Sequence, residues 1–307
     1  MAKIIVAGGA GFIGSHLCDF LITKGEDVVA IDNLVTGNKN NIAHLMDNKK
    51  FSFIEQDISK EFSVAFEVKQ IYNLASPASP VDYQEKPLET LDAGSLGVRN
   101  LLAIAKEKNA SLLFASTSEV YGNPLEHPQK ETYWGNVNPV GPRSCYDEAK
   151  RFGEAYCVSF RKMNNSNVKI ARIFNTYGPR MRGNDGRVVP NFINQALAGE
   201  SITVYGKGDQ TRSFCYVDDM VTGLYSLMNS PEKGPVNIGN PVETTILELA
   251  QKIISLTKSK SKISFKGLPV DDPERRLPDI SLAREKLAWV PKISLENGLK
   301  KTIDFFK

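Results

Sequence analysis

A glycine-rich turn between an apolar strand and an amphipathic helix constrains the fold of this chain more than any other feature. Residues 3–7 form a short apolar run, and residues 12–24 carry apolar side chains at helical spacing. Between them lies GGAGFIG at residues 8–14, a G-x-x-G-x-x-G pattern. Glycines allow a tight turn, and the start of a helix points its free N–H groups toward an anion. The segment therefore predicts a strand–turn–helix unit with an anion-binding end.

The first half of the chain repeats this alternation of strand and helix. Further strands are predicted at residues 28–31, 51–54, 70–75, 111–116 and 168–174, and further helices at 88–106 and 146–163. Near-continuous apolar strands joined by helices predict a doubly wound parallel (Rossmann) α/β sheet that is covered on both faces. After residue 178 the loops lengthen, and helices at 188–197, 218–228, 246–256 and 295–306 alternate with short strands. We expect domains at 1–178 and 179–307, the second a smaller α/β lobe, with 210–240 returning to the first.

Composition excludes several classes of function. Lys and Arg total 38 against 35 Asp and Glu, a net charge of +3, so no nucleic-acid surface is expected. The four cysteines have no C-x-x-C spacing and the three histidines are scattered, so no metal site is predicted. The chain has no signal-type segment and no apolar run near about 18 residues, so we expect a soluble cytoplasmic protein without membrane contact.

An acidic residue follows the glycine-rich turn at the spacing of a dinucleotide site. Asp32 ends the second strand, where a carboxylate can accept hydrogen bonds from both ribose hydroxyls. The same charge repels a 2′-phosphate, so NAD is favoured over NADP, although nearby Lys39 weakens that exclusion. Asp57, at the end of the third strand, fits either a contact with the adenine amino group or a turn. A glycine-rich turn without ligand is the alternative to the whole site.

Tyr146 and Lys150 form a Y-x-x-x-K pair on one face of a predicted helix. A free tyrosine has a pKa of about 10, too high for a base at neutral pH, and a nearby ammonium favours the phenolate. Thr117, Ser118 and Glu119 follow the fifth strand, at the edge of the sheet where ligands bind. Alternatively, Tyr146 and Lys150 are an exposed pair on a helix, and residues 117–119 form a helix or turn cap.

The motifs together resemble those of the extended short-chain dehydrogenase/reductase family, whose members act on nucleotide sugars. The resemblance covers nearly the whole chain and includes the glycine turn, STSEVYG at 116–122, Tyr146 with Lys150, and RIFNTYGP at 172–179. Within the family, the segments at 73–80, 133–139, 185–189 and 271–279 are most similar to the UDP-glucuronate decarboxylases. One departure is Gly94, which stands where members usually carry Asn.

The resemblance implies a redox-neutral reaction: oxidation at C4 of UDP-glucuronate, loss of CO₂, and reduction to UDP-xylose with NAD as a retained cofactor. It implies that Tyr146 is the base, that Thr117 binds the same oxygen, and that Lys150 tunes the tyrosine. Glu119 and Arg276 are assigned to decarboxylation or to protonation at C5. It also implies a homodimer formed through helices 88–106 and 146–163.

The residues implied for each role are as follows. The catalytic set is Thr117, Ser118, Glu119, Tyr146, Lys150 and Arg276. The cofactor set is Gly8, Gly11, Phe12, Ile13, Gly14, Asp32, Asn33, Asp57, Ile58, Leu74, Tyr146 and Lys150. The UDP-sugar set is Asn175, Arg180, Val188, Tyr205, Gln210, Arg212 and Arg276.

Three alternatives remain open at the level of sequence. A 4,6-dehydratase shares the C4 oxidation but has an Asp-Glu acid/base pair after the threonine, where this chain has Ser118 and Glu119. A 4-epimerase fits the cofactor turn equally well and usually lacks a Glu at this position. A non-catalytic dinucleotide-binding protein is disfavoured, since Tyr146 and Lys150 are both present.

Overall fold

The computed structural model describes residues 2–184, 186–267 and 275–307. The strands are β1 (Lys3–Ala7), β2 (Val28–Asp32), β3 (Phe51–Glu55), β4 (Val68–Asn73), β5 (Ser111–Thr117), β6 (Val168–Ile173), β7 (Thr176–Tyr177), β8 (Ile202–Tyr205), β9 (Thr211–Ser213), β10 (Cys215–Tyr216), β11 (Val236–Ile238), β12 (Glu243–Thr245), β13 (Ile263–Lys266) and β14 (Arg275–Arg276). The helices are α1 (Phe12–Thr23), α2 (Pro80–Glu85), α3 (Pro87–Asp92), α4 (Val98–Glu107), α5 (Ser144–Asn164), α6 (Val188–Ala198), α7 (Val217–Met228), α8 (Ile246–Thr257), α9 (Ser281–Leu287) and α10 (Leu295–Phe306). None of the helices in these ranges is both long and apolar enough to cross a membrane.

Seven parallel strands form the central sheet, in the order β11-β6-β5-β4-β1-β2-β3. Successive residues of a strand point to opposite faces, so a strand buried on both faces must be apolar throughout. In β1, Val6 packs in the cluster that includes residues of α1 and α7, and Ile5 packs in the cluster with residues of α4 and α5. The predicted doubly wound sheet is therefore confirmed.

The sheet order reverses beside β1, which pairs with β2 on one side and β4 on the other. Ligands of open parallel sheets bind at such a reversal, outside the carboxyl ends of the strands. The β1–α1 turn, the residues after β4 and the residues after β5 all lie at this edge. The topology therefore places the glycine turn and the segment 117–119 on the same side of the molecule.

The predicted elements differ from the structure mainly at their ends. The fourth strand spans β4 rather than residues 70–75, and β3 ends two residues before Asp57 instead of at it. The predicted helix at 88–106 is divided into α3 and α4 by a π-helical turn over Ala93–Gly97. The spacing of apolar residues predicts a helix, but it does not reveal that one turn contains an extra residue. The sequence prediction therefore missed this interruption.

The second part of the chain forms smaller sheets of β8 with β13 and of β9 with β12 and β14. Thr245 caps helix α8: its side chain accepts a hydrogen bond from the backbone N–H of Glu248, and the side chain of Glu248 accepts one from the backbone N–H of Thr245. Strand β11 lies within residues 210–240 and pairs with β6 of the central sheet. The division into domains at residue 178 stays a prediction.

The π-helical turn brings Gly94 against helix α5. A Cβ atom at position 94 would lie 2.6 Å from the Cβ of Ala149, between the two members of the Tyr146–Lys150 pair. We expect Gly94→Ala to lower the free energy of unfolding by about 1–3 kcal/mol, because overpacking forces the helices apart. In an Ala149→Gly background, which removes the opposing methyl group, the loss should be smaller.

Urea unfolding of the four proteins of this double-mutant cycle measures the coupling between positions 94 and 149. Gly267→Ala is the control, since a Cβ there meets no atom of the described residues within 4 Å. If Gly94→Ala lowered the free energy of unfolding equally with Ala149 and with Ala149→Gly, the overpacking explanation would be wrong.

Candidate active site

A cavity of about 690 Å³ opens at the carboxyl ends of the central strands. It runs from the β1–α1 turn past β5 and α5 to β8 and β9. The residues lining it include nearly all of the sequence-predicted site: Gly8, Gly11, Phe12, Ile13, Gly14, Asp32, Asn33, Asp57, Ile58, Leu74, Thr117, Glu119, Tyr146, Lys150, Asn175, Arg180, Val188, Tyr205, Gln210, Arg212 and Arg276. Ser118 is buried, 1% exposed, and is not among the residues that line the cavity.

The glycine turn is built so that only glycine fits at two positions. Gly8 has φ +78°, and a Cβ there would lie 2.8 Å from the backbone N of Ala75. A Cβ at Gly14 would lie 2.0 Å from the carbonyl oxygen of Gly8. Gly11 caps α1 without any side-chain hydrogen bond, so no side chain of the cap covers the N–H groups of the first turn. This cradle fits the diphosphate of a dinucleotide.

Asp32 is buried at the end of β2. Its Oδ2 accepts from the backbone N–H of Ala10 at 3.0 Å, and its Oδ1 accepts from that of Leu34 at 2.8 Å. The carboxylate is thereby held beside the glycine turn, where a ribose hydroxyl can donate to it. Lys39 forms an ion pair with Glu55, at 2.7 Å. That pairing lessens the attraction of Lys39 for a 2′-phosphate, so the donor set fits NAD.

Asp57 lies in a turn, where its Oδ1 accepts from the backbone N–H of Ser59 at 2.8 Å and from its hydroxyl at 2.7 Å. It also lines the cavity, so the turn and the cofactor contact are compatible.

Tyr146 and Lys150 lie one turn apart near the start of α5. The Lys150 Nζ donates to the carbonyl of Ala115 at 2.9 Å, and the Thr117 side chain acts to lower the pKa of the Tyr146 hydroxyl. Burial lowers the pKa of Lys150 to about 8 and raises the pKa of Tyr146 above its ordinary value. The protein groups alone therefore keep the tyrosine protonated, and a further positive charge is needed to make it a base at neutral pH.

Glu119 lies between two arginines that come from distant parts of the chain. Its Oε2 accepts from Nη2 of Arg143 at 2.5 Å, and its Oε1 accepts from Nη1 of Arg276. Nη2 of Arg276 also donates to the carbonyl of Gly122 at 2.9 Å. Burial opposes ionisation, but the two guanidinium groups outweigh it and hold the pKa of Glu119 at about 2. Glu119 is therefore a carboxylate at neutral pH and cannot itself donate a proton.

Asp147 adds a second carboxyl group beside this cluster. It is 5% exposed, and its Oδ1 has no hydrogen-bond partner among the described residues. Burial, together with the negative charge of Glu119, raises the pKa of Asp147 to about 7. One carboxyl of the pair is thus ionised, and the other is partly protonated at neutral pH.

Sequence reasoning missed Asp147 and two further residues of this site. Tyr83, on α2, stacks on Tyr146 with ring centroids 5.1 Å apart, and its buried hydroxyl has no partner among the described residues. Arg143 was also missed, although its place three residues before Tyr146 was a usable signal, because positions i and i+3 share a helix face. No local signal connects Tyr83 with α5, since the two helices meet only in the folded protein.

The predicted UDP-sugar residues line the other end of the cavity. Gln210 donates through Nε2 to the carbonyl of Tyr205 at 2.8 Å, and its buried Oε1 has no partner among the described residues. Arg180 forms an ion pair with Asp19, at 2.7 Å. Tyr205, at the end of β8, is 44% exposed and is thus not a core residue. Asp185 and residues 271–273, which support the family resemblance, lie outside the described residues.

Comparison with known proteins agrees with this geometry. The family model described as the NAD dependent epimerase/dehydratase family matches residues 4–239. "UDP-glucuronic acid decarboxylase 1" of Danio rerio is 54% identical over 304 residues, which are 99% of this chain and 72% of the relative. "UDP-glucuronic acid decarboxylase 6" of Arabidopsis thaliana is 51% identical over 298 residues, 97% of this chain and 86% of the relative.

Solved structures show the same architecture. The UDP-glucose 4-epimerase of Thermotoga maritima, solved with UDP-glucose, superposes with a TM-score of 0.92 at 31% identity, covering 99% of this chain and 98% of that one. The UDP-glucuronic acid 4-epimerase of Bacillus cereus, solved with UDP-glucuronic acid and NAD, has a TM-score of 0.86 at 29% identity, with 99% and 98% covered. With its glycine cradle, its Asp32 and its Tyr146–Lys150 pair in one cavity, this chain belongs to the NAD dependent epimerase/dehydratase family.

Proposed function

We propose that this protein converts UDP-glucuronate to UDP-xylose and CO₂ with NAD as a retained cofactor. The observation that carries the proposal is the meeting of two groups of residues in one cavity. Tyr146, Thr117 and Lys150 can hold an alcohol oxygen and move its proton while a bound NAD would exchange the hydride, and Glu119 with Arg276 provides charges for a sugar acid. The identity of 50% and more to several proteins named UDP-glucuronic acid decarboxylase supports the same choice.

The cofactor would be held by the glycine turn at its diphosphate, by Asp32 at a ribose, and by Lys150 near the nicotinamide end. NAD bound there would supply the acceptor and donor of the hydride exchanged with C4 of the sugar, and a positive charge beside Tyr146. The proposal assigns residues 1–178, with 210–240, to the cofactor and 179–307 to the nucleotide sugar.

Tyr146 removes the proton of the C4 hydroxyl, and Thr117, whose side chain acts to lower the pKa of the tyrosine, orients the same oxygen. Lys150 lies one helical turn from Tyr146 and donates to the carbonyl of Ala115. Its positive charge favours the phenolate. The resulting C4 ketone makes the C6 carboxylate a β-keto acid. When the C5–C6 bond breaks, the electron pair enters the carbonyl, and the hydroxyls of Tyr146 and Thr117 stabilise the enolate oxygen.

Glu119, Arg143 and Arg276 act on the carboxylate end. An arginine fork binds carboxylates well, and the buried Nε of Arg276 has no hydrogen-bond partner among the described residues. Because Glu119 is ionised, it holds both guanidinium groups in place. For the same reason it cannot donate the proton at C5, which must come from another group or from water. Ser118 has no contact with the cavity that would give it a role in this step.

The UDP end would occupy the groove formed by Asn175, Val188, Tyr205, Gln210 and Arg212, with Arg180 beside it. The unpaired Oε1 of Gln210 can accept a hydrogen bond from a pyrimidine N–H, and Tyr205 can flank the base. Arg212 carries positive charge suited to a diphosphate.

The test is incubation of the purified protein with UDP-glucuronate, with and without added NAD. We expect UDP-xylose and CO₂ in equal amounts, with no net reduction of NAD. The second candidate is a UDP-glucuronate 4-epimerase, favoured by the 0.86 TM-score to the Bacillus cereus enzyme. That activity would give the C4 epimer without CO₂, and UDP-4-keto-pentose would indicate early release of the ketone.

The proposal includes a homodimer formed by α3, α4 and α5. Leu88 on α3, 70% exposed, and Phe152 on α5, 49% exposed, are large apolar side chains on helices that pack together. A second copy of the chain would bury them. Light scattering should give a dimeric mass for the unaltered protein and a monomeric mass for Phe152→Glu; a monomer in both would contradict this part.

A further inference from the structure

The position of Arg276 depends on a short segment that little regular structure supports. In the described part of the chain, strand β14 comprises Arg275 and Arg276, and it pairs with β9. The chain continues through residues 277–279 outside any strand before α9 begins. A strand pairing of two residues is too short to fix the position of a long arginine side chain by itself. Other contacts must therefore orient this segment.

Gln129 makes those contacts from the loop before α5. Its side-chain Oε1 accepts from the backbone N–H of Leu277 at 2.8 Å, and its own N–H donates to the carbonyl of Leu277 at 2.8 Å. Its carbonyl accepts from the N–H of Asp279 at 2.9 Å. Its Nε2 donates to the carbonyl of Glu126 at 2.7 Å. The side-chain Oε1 and both backbone polar groups of Gln129 therefore hold 277–279, and Nε2 ties the side chain to its own loop.

Asn237, on β11, completes the support and connects it to Glu119. Its Nδ2 donates to the carbonyls of Gln129 and Asp279, each at 3.0 Å, and its Oδ1 accepts from the hydroxyl of Tyr121 at 2.8 Å. Tyr121 lies in the 3₁₀ turn that begins after Thr117 and contains Glu119. The same amide thus contacts the segment of Arg276 and the turn of Glu119.

Burial shows that these contacts are not incidental surface bonds. Gln129 and Asn237 are both 0% exposed, and a buried amide is stable only when its polar atoms are paired. Neither residue lines the cavity, so neither contacts substrate or cofactor. Gln129 touches the residue next to Arg276, so a change at Gln129 acts on Arg276 through the backbone.

We propose that Gln129 is a positioning residue that holds Arg276 against Glu119 for the decarboxylation step. This inference rests on the proposed function. Oxidation at C4 uses Tyr146, Thr117 and Lys150, which Gln129 does not contact. A loosened 277–279 segment should therefore slow CO₂ loss and leave hydride transfer from C4 nearly unchanged.

The test variant is Gln129→Met, which keeps the length of the side chain and removes both hydrogen bonds. We expect the rate of CO₂ release to fall by about tenfold to a hundredfold. Hydride transfer from C4 is followed by the substrate-dependent rise in absorbance at 340 nm. The rate of that rise should stay within about twofold of the rate in the unaltered protein. Amide exchange at Leu277, whose N–H loses its side-chain acceptor, should become about tenfold faster, as expected for one lost hydrogen bond. The loosened segment should also exchange faster at Asp279, although its N–H keeps the backbone carbonyl of residue 129.

Gln129→Glu is the conservative variant. A neutral carboxylic acid can still accept from Leu277 and donate to Glu126, whereas its ionised form cannot donate. CO₂ release should therefore be partly restored at acid pH and decline as the new carboxyl ionises, a profile that a purely structural loss would not produce. Gln70→Met is the matched control, because among the described residues the side chain of Gln70 hydrogen-bonds Asn229 and contacts neither Gln129 nor the segment of Arg276.

The outcomes separate the inference from the function it rests on. Absence of CO₂ from the unaltered protein would overturn the proposed function, and the exchange measurement would still report on the segment. Unchanged exchange at Leu277 and Asp279 with normal CO₂ release in Gln129→Met would overturn the positioning role. Equal loss of the 340 nm signal and of CO₂ release in that variant would overturn it as well.

Discussion

Replacing Tyr146 by Phe is expected to lower kcat for CO₂ release by about 10²- to 10⁴-fold, the usual contribution of a positioned acid–base group. The ring would still stack on Tyr83, so the fold should be retained. Without the phenol, the C4 hydroxyl has no group to take its proton, and decarboxylation cannot begin before C4 is oxidised. Both the 340 nm signal and CO₂ release should disappear together in single-turnover measurements.

Tyr156→Phe is the matched control for this change. Tyr156 lies on the same helix, half-buried against Phe152, and outside the cavity. Its loss of a hydroxyl should leave both signals intact. A Tyr146→Phe enzyme that oxidises C4 at the normal rate would show that another group is the base.

Replacing Arg276 by Met is expected to have the second largest effect, and a different one. Glu119 would keep Arg143 but lose its other guanidinium partner, and the buried Nε donor would be absent. CO₂ release should fall by about 10²- to 10³-fold, as for loss of one electrostatic group in other sites. Oxidation at C4 should continue, so the ketone that retains its carboxylate should accumulate, detectable by mass.

The pH dependence of stability checks the same variant. The folded-state pKa of Glu119, about 2, lies below the unfolded value of about 4.3. The ionised carboxylate therefore contributes its full stability at pH values above the unfolded pKa. This stability is lost as the pH falls toward 2. Loss of Arg276 raises the folded pKa, so Tm of the variant should fall less between pH 6 and pH 3 than Tm of the unaltered protein.

Arg275→Met is the control for both measurements. Arg275 is the neighbouring residue on β14 and is exposed, so its loss removes a positive charge without touching Glu119. Normal CO₂ release in Arg276→Met, or an equal loss in both variants, would remove Arg276 from the decarboxylation step.

The Gly94 departure illustrates how a local sequence difference gains meaning from packing. The sequence shows only that glycine stands where the family usually has Asn. The structure shows a π-helical turn there and a distance of 2.6 Å between the Cβ that residue 94 lacks and the methyl of Ala149. The position therefore concerns the spacing of α5 from its neighbour, and it leaves the Tyr146–Lys150 pair intact.

The sequence by itself determined the parts of this protein whose physics is local. Apolar strands buried on both faces predicted the parallel sheet, and the glycine pattern predicted the β1–α1 turn, because glycine alone tolerates the φ of Gly8 and the contact at Gly14. The i, i+4 spacing placed Tyr146 and Lys150 on one helix face. The family resemblance added the residues of the nucleotide-sugar groove.

Only the tertiary structure decided the charge state and the support of the site. Glu119 and Arg276 are 157 residues apart, and neither sequence position indicates that they form an ion pair. The stacking of Tyr83 on Tyr146 and the hold of Gln129 on Leu277 also join distant segments. A pKa depends on burial and on charges brought close by folding, so the ionised Glu119 and the buried Lys150 could be recognised only once the chain was folded.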